Sequence, residues 1–280
     1  MNTPLVTASA LVSHLQDWVV LDCRHNLQDV DAGQRAYLAG HIPGACFLHL
    51  DRDLSGLAGG QRGRHPLPSP SELKNVLERS GVGSGRSVVV YDHGECMFAA
   101  RLWWMLRWLG HDHVAVLERG WTGWIEAGNP VSTEVPQPQS AVFSLQERVD
   151  WVVDTRFVQS HLNDPAIRLV DARAADRFRG ENETLDPVGG HIPGACNRPF
   201  RDNLESNGCF KHPDVLRSEF EGILAGRSPE HLVHQCGSGV TACHNLLAME
   251  YAGLPGGKLY PGSWSAWCAD PARPVAVGSP

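Results

Sequence analysis

No apolar stretch in this 280-residue chain approaches the length of a membrane span, and no run of lysine or arginine stands out along it. The first absence argues against a helical membrane anchor. The second, with a formal charge of −7, removes any general attraction to nucleic acid or an anionic bilayer, so an anionic substrate has to be drawn by individual arginines. Residues 1–13 carry no basic segment of the kind that opens a secretory signal, which makes the cytoplasm the expected compartment. Cys-x-x-Cys and His-x-x-x-His pairs are both missing. The eight cysteines are scattered, so neither a disulfide framework nor a zinc site is expected, and nothing in the chain asks for a metal or a cofactor.

One stretch carries the chemistry. Leu232-Val233-His234-Gln235 is a short apolar-edged run, Cys236 follows it, and Gly237-Ser238-Gly239-Val240-Thr241 leads into a helical pattern. Two glycines let the backbone curl so that successive N–H groups point inward, and a helix beginning near Val240 or Thr241 adds the positive end of its dipole. Cysteine attacks as thiolate, and such a ring of amides is what stabilises that anion, so Cys236 is the candidate nucleophile. The same cradle could hold phosphate. A cysteine phosphatase, however, needs an arginine six residues past its cysteine to grip the dianion, and here that residue is Ala242. The uncharged loop suits a single sulfur atom parked on Cys236 better than a tetrahedral oxyanion.

At 42% hydrophobic and 20% charged, the chain has an ordinary globular composition and the length for two cores. Leu21-Asp22-Cys23-Arg24 recurs as Val170-Asp171-Ala172-Arg173, and Gly40-His41-Ile42-Pro43-Gly44-Ala45 as Gly190-His191-Ile192-Pro193-Gly194-Ala195. Trp121-Thr122-Gly123-Trp124 returns as Trp264-Ser265-Ala266-Trp267. A repeat this long is a duplicated domain, since solenoid units run to roughly 20–50 residues. The pattern predicts one domain over 1–127, a proline-rich linker over 128–147 and a second domain over 148–280. Strands are expected at 18–21, 87–91, 114–117, 167–170, 231–235 and 258–260, and helices at 71–80, 98–109 and 241–252. The alternation predicts an α/β fold in which each domain has a central parallel sheet covered by helices on both faces, with Cys236 beyond the carboxyl end of a strand. In the first copy Asp92 aligns with Cys236, so that half has no nucleophile. Trp103, Trp104 and Trp108 read as core.

The loop Cys236 to Thr241, the paired Gly-His-Ile-Pro-Gly-Ala motifs and the closing Tyr260-Pro261-Gly262-Ser263-Trp264 together resemble the rhodanese-like sulfurtransferases, and among them the 3-mercaptopyruvate sulfurtransferases. The resemblance spans almost the whole chain. It implies tandem rhodanese-like domains, the second one catalytic, and a sulfane sulfur carried as a Cys236 persulfide with the amides of Gly237, Gly239, Val240 and Thr241 around it. The donor it implies is the small molecule 3-mercaptopyruvate, with thiosulfate second because basic loop residues are missing. The implied acceptor is a thiol, a thioredoxin-like protein or cyanide. Arg177 matches the family's first carboxylate-binding arginine. The second has no counterpart in the shortened insertion 181–188, leaving Arg179, Arg198 and Arg201 as substitutes. The resemblance also implies a proton relay from Ser238 to His41 and an upstream acid, Asp31 or Asp29. The alternative is that Ser238 only donates a hydrogen bond to the sulfur and His41 only holds a turn. A different class of function, a persulfide carrier loaded by a partner protein, fits the same nucleophile.

Overall fold

The computed structural model describes residues 3–279, which fall into two compact units. One joins the chain up to Gly56 with Leu67–Arg148; the other joins Leu57–Pro66 with the chain from Val149 onward. The sequence places residues 57–66 in the first repeat, yet they pack with the second. No helix among the described residues is long and apolar enough to cross a membrane.

The first unit runs β1 (Leu5–Val6), α1 (Ala8–Val12), β2 (Val19–Asp22), α2 (Ala32–Ala39), β3 (Cys46–Phe47), α3 (Pro70–Arg79), β4 (Val88–Tyr91), α4 (Met97–Trp108), β5 (Val114–Leu117) and α5 (Gly120–Glu126). Its sheet has the order β1-β5-β4-β2-β3, and every pairing is parallel. Every residue of β2, β4 and β5 is buried. Continuous apolar runs rather than alternation are what a sheet flanked by helices requires. A capping box between Ser69 and Glu72, with Pro70 in the first turn, starts α3. The α4 helix is apolar on nearly all sides, and Trp103, Trp104 and Trp108 are buried in the core as its sequence indicates.

The second unit continues with α6 (Thr155–Ser160), β6 (Arg168–Asp171), α7 (Ala175–Arg179), β7 (Cys196–Asn197), α8 (Pro213–Leu224), β8 (Leu232–Gln235), α9 (Ala242–Tyr251), β9 (Lys258–Leu259) and α10 (Ser263–Trp267). Its sheet is also parallel, with the order β7-β6-β8-β9. The α9 helix closes at Ala252, followed by Gly253 at φ +72°, the left-handed conformation that ends a helix cleanly.

Structural demands shared by the two units explain most of the repeated motifs. Asp22 and Asp171 end the equivalent strands β2 and β6 and hold Arg24 and Arg173 in buried ion pairs of 2.7 Å. Each arginine then donates to the carbonyl before a motif histidine, Gly40 O or Gly190 O, at 2.7 Å. Each also lies over an indole, Trp121 at 4.4 Å and Trp264 at 4.8 Å. A buried charge of this kind is tolerated only when it is paired, and the carboxylate, the carbonyl and the indole supply that pairing in both units. His41 and His191 stack on Tyr37 and Phe178 and bond through Nδ1 to the carbonyls of those same residues.

Candidate active site

Strand β8 lies inside its sheet between β6 and β9, and Cys236 is the first residue beyond its carboxyl end. The backbone then turns through Gly239 at φ +77° before α9 begins. The Gly239 N–H donates to Cys236 Sγ at 3.1 Å, which makes the thiol sulfur the focus of the loop. The first turn of α10 fastens this loop from the other side. Ser263 Oγ accepts from the Cys236 N–H at 3.1 Å. The Trp264 and Ser265 amides donate to Cys236 O and Gly237 O at 3.0 and 2.9 Å. Cys236, Ser238 and Val240 are all buried. A side chain held by strand, helix and a second helical turn has its orientation fixed.

Residues 57–66 bring two further groups to this loop. Gly63 sits at φ +83°, and a Cβ there would lie 2.8 Å from both Gly262 O and Ser265 Oγ, so only glycine permits the approach. The next residue is pinned by its backbone, Arg64 N–H donating to Ser265 Oγ at 3.1 Å. The buried His65 then forms a 2.7 Å hydrogen bond between its Nδ1 and Ser238 Oγ.

Charge gathers beside Gly237. Arg177 donates from Nε and Nη2 to the Glu183 carboxylate at 2.7–3.1 Å, and its Nη2 lies 3.5 Å from Asp186. Arg64 Nη1 donates to the other Asp186 oxygen. The Glu183 and Asp186 side chains are only 4% and 3% exposed, so both acids are fixed beneath the arginines. Burial works to raise the Glu183 carboxyl. Its bonds from Arg177 and from the Leu185 and Asp186 amides outweigh that and hold it below the usual carboxylate range. Burial likewise opposes the charge on Arg173, but the Asp171 carboxylate, with Glu183 and Cys236, keeps its guanidinium firmly protonated.

A buried cysteine whose sulfur accepts a loop amide, with a serine–histidine pair at the same loop and arginines beside Gly237, agrees with what comparison with known proteins finds. The sequence pattern of the rhodanese-like domain matches residues 7–127 and again 154–270. The chain belongs to the rhodanese family. A Pseudomonas aeruginosa protein described as "Probable 3-mercaptopyruvate sulfurtransferase" is 47% identical over 99% of each chain. The thiosulfate sulfurtransferase of Mus musculus is 34% identical over 89% of this chain and 84% of its own. Among solved structures, SseA of Escherichia coli, described with the 3-mercaptopyruvate sulfotransferases, superimposes with a TM-score of 0.82 at 32% identity, covering 94% of this chain and all of the other.

The first rhodanese copy has Asp92 at the equivalent place and turns its loop amides onto that side chain. Asp92 accepts hydrogen bonds from the amides of Gly94, Cys96, Phe98 and Ala99 at 2.9–3.2 Å. Burial raises its carboxyl while those four amides pull it the other way.

Other residues singled out in the sequence have partners within their own units. His41 has Tyr37 O at 2.7 Å on Nδ1 and Glu134 O at 3.0 Å on Nε2, with its backbone bridged to Ser132. Asp31 precedes α2 and accepts from Arg52 at 2.6 Å, and Asp29 accepts from Arg35. Arg179 pairs with Glu181, Arg198 binds Asn203 and Glu219, and the Arg201 guanidinium lies 5.7 Å from the Phe200 ring centre. The arginine that joins Arg177 is Arg64. Sequence reasoning missed it and His65 because both stand in the first repeat. The available signal was Gly63-Arg64-His65, a glycine directly followed by two chemistry-bearing residues.

In the first unit, His25, His49 and Asp51 each bring a potential metal-ligand atom within 4.8 Å of the others. The Asp51 amide already donates to His49 Nδ1 at 3.1 Å, so a metal on that nitrogen would first have to break the bond.

Proposed function

We propose that this chain, a rhodanese-family sulfurtransferase, takes its sulfur from 3-mercaptopyruvate and passes it to a thiol acceptor through a persulfide on Cys236. The observation that carries the reading is the Gly239 amide directed at Cys236 Sγ from an uncharged loop. In the first half-reaction the Cys236 thiolate attacks the donor's thiol sulfur. An S–S bond forms, the donor's C–S bond breaks, and its electron pair goes to the methylene carbon. That carbon takes the proton given up by the donor thiol, leaving pyruvate and the Cys236 persulfide anion. The Ser238–His65 pair supports a path for this proton, since a hydroxyl hydrogen-bonded to imidazole can accept and return one in a concerted step. Loop amides would hold the persulfide anion. In the second half-reaction an acceptor thiol, of a small molecule or a thioredoxin-like protein, or cyanide attacks the outer sulfur and Cys236 departs as thiolate.

Names among the relatives divide between the two donors. Charge favours 3-mercaptopyruvate: the loop has no basic residue for a thiosulfate dianion, and the nearby arginines already face carboxylates. All eight cysteines are free, which supports a reducing compartment, and we place the protein in the cytoplasm. Steady-state kinetics with both donors tests the assignment. 3-Mercaptopyruvate is expected to show the higher kcat/KM, and Arg177→Ala is expected to raise its KM by about one to two powers of ten. A higher kcat/KM for thiosulfate would overturn the donor while leaving sulfur transfer intact.

A further inference from the structure

A thiol sulfur is a weak hydrogen-bond acceptor, so it cannot hold itself in place as a carboxylate does. Asp92, the equivalent residue of the first unit, is fixed by four loop amides. The direction of Cys236 Sγ has to come largely from the backbone, and α10 holds both backbone polar groups of that residue. Ser263 Oγ accepts from the Cys236 N–H at 3.1 Å, and the Trp264 N–H donates to Cys236 O at 3.0 Å. The Ser263 hydroxyl gives its own proton to Tyr260 O at 2.9 Å, which leaves its oxygen turned to the cysteine.

Half of this arrangement is repeated in the first unit. There the Trp121 and Thr122 amides donate to Asp92 O and His93 O at 2.8 and 2.9 Å, as those of Trp264 and Ser265 donate to Cys236 O and Gly237 O. The residue before Trp121 is Gly120, at φ +45°, and the residue before Trp264 is Ser263, at φ +52°. Both take the left-handed conformation, which suits glycine and strains any residue with a Cβ. The first unit meets that demand with glycine, where a Cβ would lie 2.4 Å from Asp92 O. The second unit carries a fully buried serine instead. A side chain kept in a strained, buried position calls for a use that glycine cannot serve, and this hydroxyl binds the amide of the nucleophile.

We infer that Ser263 is a positioning residue for Cys236: its hydroxyl fixes the Cys236 peptide group, and with it the direction of Sγ, at a cost in stability that Gly120 does not carry. This rests on Cys236 being the nucleophile of the proposed function. Displacement at sulfur is sensitive to orientation, because the attacking sulfur, the donor sulfur and the leaving group have to line up. Ser263 acts through the backbone of Cys236 rather than on the donor. Its loss therefore slows the step at Cys236 without weakening donor binding, and does so alike for any donor.

Two variants of the full chain separate the hydroxyl from the Cβ. Ser263→Ala removes the hydroxyl and keeps the strain, while Ser263→Gly removes both. Single-turnover persulfide formation, followed with 3-mercaptopyruvate and with thiosulfate, is expected to slow by about ten- to a hundredfold in both variants and with both donors, while KM changes by no more than about twofold. Ser263→Gly should nevertheless melt above Ser263→Ala, since it is free of the strain. A wild-type rate in either folded variant would overturn the inference, as would rates that rise and fall with melting temperature, the mark of a merely structural contact. If thiosulfate alone loads Cys236 and both variants slow that loading, the positioning role stands and the donor assignment falls. If Cys236→Ser still takes up sulfur, it is the nucleophile assignment that falls, and the inference with it.

Discussion

Ser238 Oγ and His65 Nδ1 lie 2.7 Å apart although 173 residues separate them in the chain. Gly63, where a Cβ would meet Gly262 O and Ser265 Oγ at 2.8 Å, allows the approach, and we propose the pair as the path for the donor's proton. Ser238→Ala and His65→Gln are each expected to slow persulfide formation in single-turnover experiments by roughly a hundredfold, and the double variant by little more, because members of one relay do not add. His41→Asn should instead lower the melting temperature, since its ring joins the Tyr37 and Glu134 carbonyls. Small, additive losses at Ser238 and His65 would reduce the pair to a structural contact.

Asp92 gives the second prediction. Four amides converge on one buried carboxylate, so Asp92→Ala is expected to cost about 2–4 kcal/mol in denaturant unfolding. Sulfur loading of Cys236 should survive in the folded fraction. A variant as stable as the wild type would show that water replaces the carboxylate at no cost.

The sequence was most legible where one residue type answers one local demand. Val88–Tyr91 and Val114–Leu117 are apolar throughout because both faces of the sheet are covered, and their limits are read to within a residue. Cys236 is legible because a glycine-bearing loop between strand and helix has few other uses. His41 is a harder case. Its motif repeats at His191, and the shared stacking and carbonyl bonds show how much of that repetition is structural. Arg64 and His65 are hidden by something else. Their part depends on residues 57–66 packing with the second unit, and no periodicity records which core a connecting segment joins.

His234, two residues before the nucleophile, is fully buried, and neither ring nitrogen has a partner. Burial holds it neutral, pushing its pKa down from 6.5 to about 3. A base with a lowered folded pKa contributes its full stability above the unfolded value, and that stability is lost as pH falls from 6.5 toward 3. Unfolding free energy at pH 5.5 should therefore lie about 1.3 kcal/mol below that at pH ~7 on account of this residue alone. Urea titrations of the wild type and His234→Leu at both pH values check it. The difference between their pH slopes should match that figure, and parallel slopes would show that His234 takes up a proton inside the fold.

Which sulfur becomes the persulfide is the question on which the account depends. Cys243 is buried on α9, with its Sγ placed to donate to Gly239 O at 3.5 Å, and it lies close enough in sequence to be a rival. Cys236 Sγ accepts the Gly239 amide. The direct measurement is peptide mass spectrometry after brief treatment with 3-mercaptopyruvate and alkylation. The account predicts one added sulfur on the peptide containing Cys236, its loss in Cys236→Ser and its retention in Cys243→Ala. An added sulfur found reproducibly on Cys243, or persisting in Cys236→Ser, would contradict it.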